Sequence, residues 1–132
     1  MKHFKKTDLA WAAGIIDADG YMGICGEKHK LADGSKKLYP QLRVTVSNYD
    51  IPMVNKLHEL FGGTRCAYPK PDRRKLIQRW EVAAKKAERT LKVLLPYLVT
   101  KEKQAVLAIS FRENRFSKKD SEWVRLSRSL KI

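Results

Sequence analysis

The run from Leu9 to Gly20 constrains this chain more than any other segment. Leu9-Ala10-Trp11-Ala12-Ala13-Gly14-Ile15-Ile16 is almost wholly apolar and built largely from small residues, and it stops at Asp17-Ala18-Asp19-Gly20. Helical spacing suits it, with Thr7 or Asp8 as the N-cap and Gly20 as a left-handed exit. Ala10, Ala13, Gly14 and Ala18 recur at helical intervals, which lets a second helix approach closely. Gly20 ends the helix and leaves Asp19 near its negative C-terminal pole.

The rest of the chain reads as alternating strands and helices. Tyr21–Lys30 is strand-like and runs into a polar turn over Ala32–Lys37. Leu42, Val44 and Val46 then alternate with Gln41, Arg43, Thr45 and Ser47, so period 2 sends the aliphatics to a core and the polar set to the other face. Asp50 can cap a helix carrying Ile51, Val54, Leu57, Leu60 and Phe61, with Pro52 in its first turn and Gly62-Gly63 as its stop. Strands are expected at Thr64–Tyr68 and Lys75–Ala83, the second with Trp80 and Val82 inward and Lys75, Arg79 and Glu81 on the opposite face. Helices are expected over Lys86–Leu95, Thr100–Phe111 and Ser121–Leu130. The chain has no internal repeat and no low-complexity linker, so residues 1–132 form a single domain. The expected class is α+β: an antiparallel four-stranded sheet with helices on one face and a polar, basic face left bare.

Charge narrows the partner. Lys and Arg number 28 against 14 Asp and Glu, a formal net charge of +14, and the cations are spread along the chain rather than gathered in a tail. Self-repulsion on that scale points to a polyanion, DNA or RNA, held on a folded surface. No apolar run is long enough to span a membrane, and no apolar stretch follows the basic N-terminus as in a signal peptide. Cys25 and Cys66 lack metal-ligand spacing and read as free thiols, which suits the cytoplasm or the DNA compartment of an organelle. His3, His29 and His58 form no ligand set or triad pattern.

Ala12-Ala13-Gly14-Ile15-Ile16-Asp17-Ala18-Asp19-Gly20 resembles the LAGLIDADG signature, departing from it by conservative changes at Ala12 and Ile15. The order of elements is similar to that family's αββαββα core and its saddle-shaped sheet, so the resemblance covers nearly the whole chain. It implies a homing endonuclease that makes a site-specific double-strand break in a long, near-palindromic DNA target. With one motif per chain, it also implies a homodimer paired through the Leu9–Gly20 helix. Asp19 becomes the metal-binding catalytic carboxylate and the Ala18 carbonyl a further ligand, for Mg²⁺ or another divalent cation. Asp17 is read as structural, a hydrogen-bond partner at the helix end. Lys101 becomes the basic catalytic residue, with Lys103 as its alternative, and Asn48 stands where the family usually has a glutamine near the attacking water.

The outward strand faces supply the candidate DNA contacts: Tyr21, Cys25, Glu27, His29, Gln41, Arg43, Thr45, Arg65, Lys75, Arg79 and Glu81. Arginine can bind guanine bidentately, glutamine adenine, and glutamate the cytosine amino group. Two other readings fit part of the sequence: an intron RNA maturase or cleavage-inactive DNA-binding protein, and a ribosome-associated protein. The last explains the charge but not the motif.

Overall fold

The computed structural model describes residues 3–72 and 74–130, with Glu27 described by its backbone alone. Helix α1 spans Lys6–Asp19. It starts earlier than expected, after Lys5, and has no side-chain cap from its N-cap residue. Asp8 instead sits in the first turn, where the positive helix pole favours it, with Oδ1 3.0 Å from Nζ of Lys56. Gly20 also departs from expectation: its φ of −83° and ψ of 155° are extended, not left-handed. Glycine is needed there for a different reason, since a Cβ would lie 2.6 Å from the Ile16 carbonyl oxygen.

Strand β1 (Gly20–Lys30) leaves α1 directly and pairs antiparallel with β2 (Lys36–Asn48). The turn between them is set by Asp33, whose Oδ1 accepts from the Ser35 amide at 2.9 Å, and by Gly34 at a φ of 88°. Helix α2 (Ile51–Phe61) is capped as expected by Asp50, whose Oδ1 accepts from the Met53 amide at 3.1 Å. Gly62 and Gly63 stop it at φ values of 70° and 90°. Strands β3 (Thr64–Tyr68) and β4 (Ile77–Ala83) pair with each other, and β4 pairs with β2, giving the sheet order β1-β2-β4-β3 with every neighbour antiparallel. Helices α3 (Ala84–Leu94), α4 (Glu102–Glu113) and α5 (Asp120–Ser129) complete the chain, with one-turn 3-10 segments at Leu95–Tyr97 and Arg115–Ser117.

The alternation predicted for β2 holds. Leu42, Val44 and Val46 are buried, opposite Met22 and Ile24 of β1 and Trp80 and Val82 of β4. This face packs on Leu9, Ala12, Ala13 and Ile16 of α1, Val54 and Leu57 of α2, and Leu91 and Leu94 of α3. Each Leu, Ile or Val among them contributes about 1.5–3 kcal/mol on burial. Buried indole donors are satisfied: Trp80 Nε1 donates to the Gly62 carbonyl at 2.8 Å and Trp123 Nε1 to the Arg115 carbonyl at 2.8 Å. Helix α5 closes the open edge of β1, where the Ser127 hydroxyl oxygen accepts from the Ile24 amide at 2.8 Å. Among the described residues no helix is long and apolar enough to cross a membrane.

Two boundary shifts bear on the candidate residues. Strand β4 begins at Ile77, where Tyr68 of β3 pairs with it, so Lys75 lies in the preceding loop and not on a strand face. Helix α4 begins at Glu102, because Thr100 and Lys101 form a turn that enters it.

Candidate functional site

Three segments meet at the C-terminal end of α1. Asp19 is exposed on its last residue. The β1–β2 register pairs Gly20 with Val46, which carries the end of β2 to the same place. There Asn48 donates from Nδ2 to Asp19 Oδ2 at 2.8 Å, while its own Oδ1 accepts from the Asp50 amide at 2.9 Å. The amide is thus held at both ends, which fixes its orientation. The third segment is the approach to α4. Asp17 Oδ2 accepts from the Val99 amide at 2.9 Å and Oδ1 from the Lys101 amide at 3.0 Å, and Lys101 Nζ donates to the Asp17 carbonyl at 2.7 Å.

This joint settles the termini of both helices. The last turn of α1 holds no basic residue, and the N-cap residue of α4 offers no side-chain cap. Lys101 supplies a cation to the negative end of α1, and Asp17 an anion to the positive end of α4. The expected helix-end role of Asp17 therefore has a specific partner. Lys103 stands exposed on the first turn of α4.

Among the described residues no three His, Cys, Asp or Glu side chains gather closely enough to hold a metal ion. Asp19 is a single carboxylate with Asn48 on one oxygen, beside Ala18 on the exposed last turn. Hard oxygen donors of this kind suit a divalent cation that keeps several of its waters and takes its remaining ligands from outside the chain.

The helix-free face of the sheet carries most of the candidate contacts. Tyr21, Cys25, Arg43, Thr45, Ser47, Arg79 and Glu81 line a shallow hollow of about 320 Å³ at its centre. They are already organised: Thr45 Oγ1 donates to Glu81 Oε1 at 3.0 Å, Arg79 Nη2 donates to the same oxygen at 3.1 Å, and Arg43 Nε donates to Gln41 Oε1 at 3.2 Å. Tyr21 OH lies 3.2 Å from Cys25 Sγ. Partial burial, then that hydrogen bond, pushes the Tyr21 phenol up to about 12, so it stays protonated at neutral pH. His29 lies farther along β1 with its ring edge-on to Tyr39 at 5.1 Å. The side chain of Glu27 lies outside the described residues.

Arg65 is a correction. It pairs in register with Trp80, whose side chain is in the core, so it belongs to the helix side of the sheet. There Nη2 donates to Gln78 Oε1 at 2.7 Å. The outward residues of β3 are Thr64, Cys66 and Tyr68, opposite Glu81, Arg79 and Ile77. Ser47 was also missed as a candidate contact, although the alternation of β2 pointed to it.

Among the described residues, nothing covers one surface of α1. Ala10, Gly14 and Ala18 are exposed along a single line of the helix. A Cβ on Gly14 would meet none of the described residues within 4 Å, so no contact among them requires a glycine that costs helix stability.

Comparison with solved structures places this architecture. The chain is similar to the homing endonuclease I-CvuI in complex with a DNA target in the presence of magnesium, with a TM-score of 0.70 and 23% identity over 95% of this chain and 80% of that one. The fold is that of the LAGLIDADG homing endonucleases. The archaeal intron-encoded endonuclease I-Vdi141I complexed with DNA has this fold at a TM-score of 0.68 and 12% identity, covering 94% of this chain and 82% of that one. I-SmaMI, a LAGLIDADG homing endonuclease bound to cleaved DNA, matches at a TM-score of 0.53 and 20% identity over 98% of this chain and 43% of that one. By sequence, no protein-family model and no curated protein matches the chain.

Proposed function

We propose that this chain is a homing endonuclease that acts as a symmetric pair and cuts both strands of a long DNA site. The observation that carries the reading is the convergence of Asp19, Asn48 and Lys101 at the exposed end of α1. The bare polar sheet face, which presents Arg43 and Arg79, supports it, since such a face can enter a major groove as a ribbon. Solved structures with this fold include complexes of homing endonucleases with DNA.

Asp19 is the residue that would hold a divalent cation, which when bound acidifies a water and stabilises charge on the phosphate and leaving oxygen. Asn48 keeps the carboxylate in one orientation by its bond to Oδ2. Lys101 contributes a fixed positive charge at the same helix end, suited to a phosphate oxygen or to orienting the attacking water. Ala10, Gly14 and Ala18 accept the same helix of a second copy, bringing two Asp19 carboxylates to one seam. Two such groups repel unless cations lie between them, which couples pairing to metal binding. Arg43, Arg79 and Gln41 read bases, while the other cations hold phosphates.

The test is cleavage of a randomised-site plasmid library in Mg²⁺ or Mn²⁺. Wild-type protein is expected to linearise a subset of sites, and Asp19→Asn to abolish cutting while keeping or tightening DNA binding. Undiminished cutting by D19N overturns the metal assignment. A protein that binds duplex DNA but cuts nothing overturns the nuclease and leaves a DNA-binding or RNA maturase role.

A further inference from the structure

We propose that Asp17 is a positioning residue for Lys101, so that the two aspartates at the end of α1 have separate tasks. The kinetic part of this proposal rests on the nuclease reading; the contact itself does not.

The segment that delivers Lys101 is poorly held by its own side chains. Leu98 is buried and anchors one end, and Ala105 anchors the other, but Val99 is 80% exposed and Thr100 is exposed too. A turn with so little side-chain packing is fixed by its backbone bonds, and Asp17 accepts two of them, from Val99 and Lys101. A lysine stem carries several free rotations, so an ammonium is localised only when both ends are tied. Asp17 ties both. Its carboxylate holds the backbone of Lys101, and its carbonyl oxygen takes one of the three ammonium protons at 2.7 Å. Two N–H groups then remain for a phosphate oxygen or a water.

The residue type follows from this task. Asparagine at position 17 would keep one acceptor but turn an NH₂ group towards a backbone N–H, so one amide would lose its partner. Glutamate would keep both acceptors but displace them by a methylene. Asp17 spends its carboxylate on the approach to α4, while Asp19 two residues later keeps an oxygen for the cation.

The experiment has two arms. In the first, the metal-free, DNA-free protein is followed by NMR of lysine ammonium groups and backbone amides, with the Lys101 ammonium assigned by its loss in Lys101→Met. Asp17→Asn is expected to collapse the Lys101 ammonium signal into the solvent-exposed lysines and to speed amide exchange at Val99 and Lys101 at least about 10-fold. In the second arm, single-turnover cleavage of a site selected by the wild-type protein should slow by about 10²-fold in D17N, the scale expected for a misplaced catalytic group. DNA affinity should be unchanged, and the D17N/K101M double variant should cut no more slowly than K101M alone. An unaltered Lys101 signal in D17N, or rate losses that multiply in the double variant, overturns the proposal. If wild-type protein cuts nothing, the nuclease reading fails while the first arm still decides the contact. Should D17N not fold, Asp17→Glu reads the same quantities with the same expected directions.

Discussion

Asn48 and Asp19 stand 29 residues apart in the chain and meet through one hydrogen bond of 2.8 Å. Because the amide oxygen of Asn48 is taken by the Asp50 backbone, the amide cannot turn over without breaking a second bond. Asn48→Ala should therefore slow single-turnover cleavage by about 10-fold, the lower end of what a positioned group supplies, with DNA binding intact. Asn48→Asp should do more harm, because it sets a second carboxylate against Asp19 where a hydrogen-bond donor stood. Equal cleavage rates for the two variants would show that the contact does not act on Asp19.

Under the proposed pairing through α1, Gly14 separates chain folding from chain pairing. Open space surrounds its Cβ position, so Gly14→Leu should fold with an unchanged circular dichroism spectrum. Sedimentation velocity should nonetheless shift from two copies to one, since a leucine would force the paired helices apart. A G14L protein that still sediments as a dimer would place the seam elsewhere.

The two faces of the sheet predict opposite outcomes for two arginines. Arg79→Ala should weaken DNA binding and relax specificity at one base by about 1–3 kcal/mol. Arg65→Ala should leave DNA affinity within about twofold and lower the melting temperature instead. It strips the donor from Oε1 of Gln78, which is only 5% exposed, and a buried amide oxygen left unpaired costs about 1–3 kcal/mol. Weakened binding without loss of stability in R65A would reverse the assignment of faces.

Tyr21 should be visible in an alkaline absorbance titration at the phenolate band. The chain has 5 tyrosines, and one is expected to ionise near 12 and to vanish in Tyr21→Phe. The phenol's folded value is raised above its ordinary 10.0, so its contribution to stability is complete below pH 10 and is lost as pH climbs through about 12. Ionisation of every accessible tyrosine near 10 would contradict the burial and the Cys25 contact.

The fold was legible where a residue pattern repeats. Leu42, Val44 and Val46 declare their face because β2 is long and half-buried, and Asp50-Ile51-Pro52 followed by Gly62-Gly63 marks both ends of α2 through local backbone chemistry. Arg65 was misread because β3 is five residues of mixed polarity with no alternation to follow; its face is set by the register with Trp80. The cap of α4 was hidden for a different reason. Local sequence discloses caps built from neighbours, whereas Asp17 reaches Lys101 across 84 positions. Gly20 looked like a helix terminator by conformation and is one by proximity to Ile16.

Strand β2 outruns its inner neighbour. It pairs with β4 only from Arg43 to Asn48, so Lys36–Leu42 continues with β1 alone as strand partner. Strand pairing therefore thins along β2, from a four-stranded body beside Asp19 to a two-stranded arm that α5 backs near Gly26 and Leu38 and that is tipped by Lys28, Lys30, Lys36 and Lys37. On the proposed reading, a duplex lying on this sheet would meet a surface braced by four strands near Asp19 and a two-stranded ribbon at its outer turns. Tolerance for sequence drift should accordingly widen with distance from the centre of the site, allowing such a protein to follow a target that mutates at its edges.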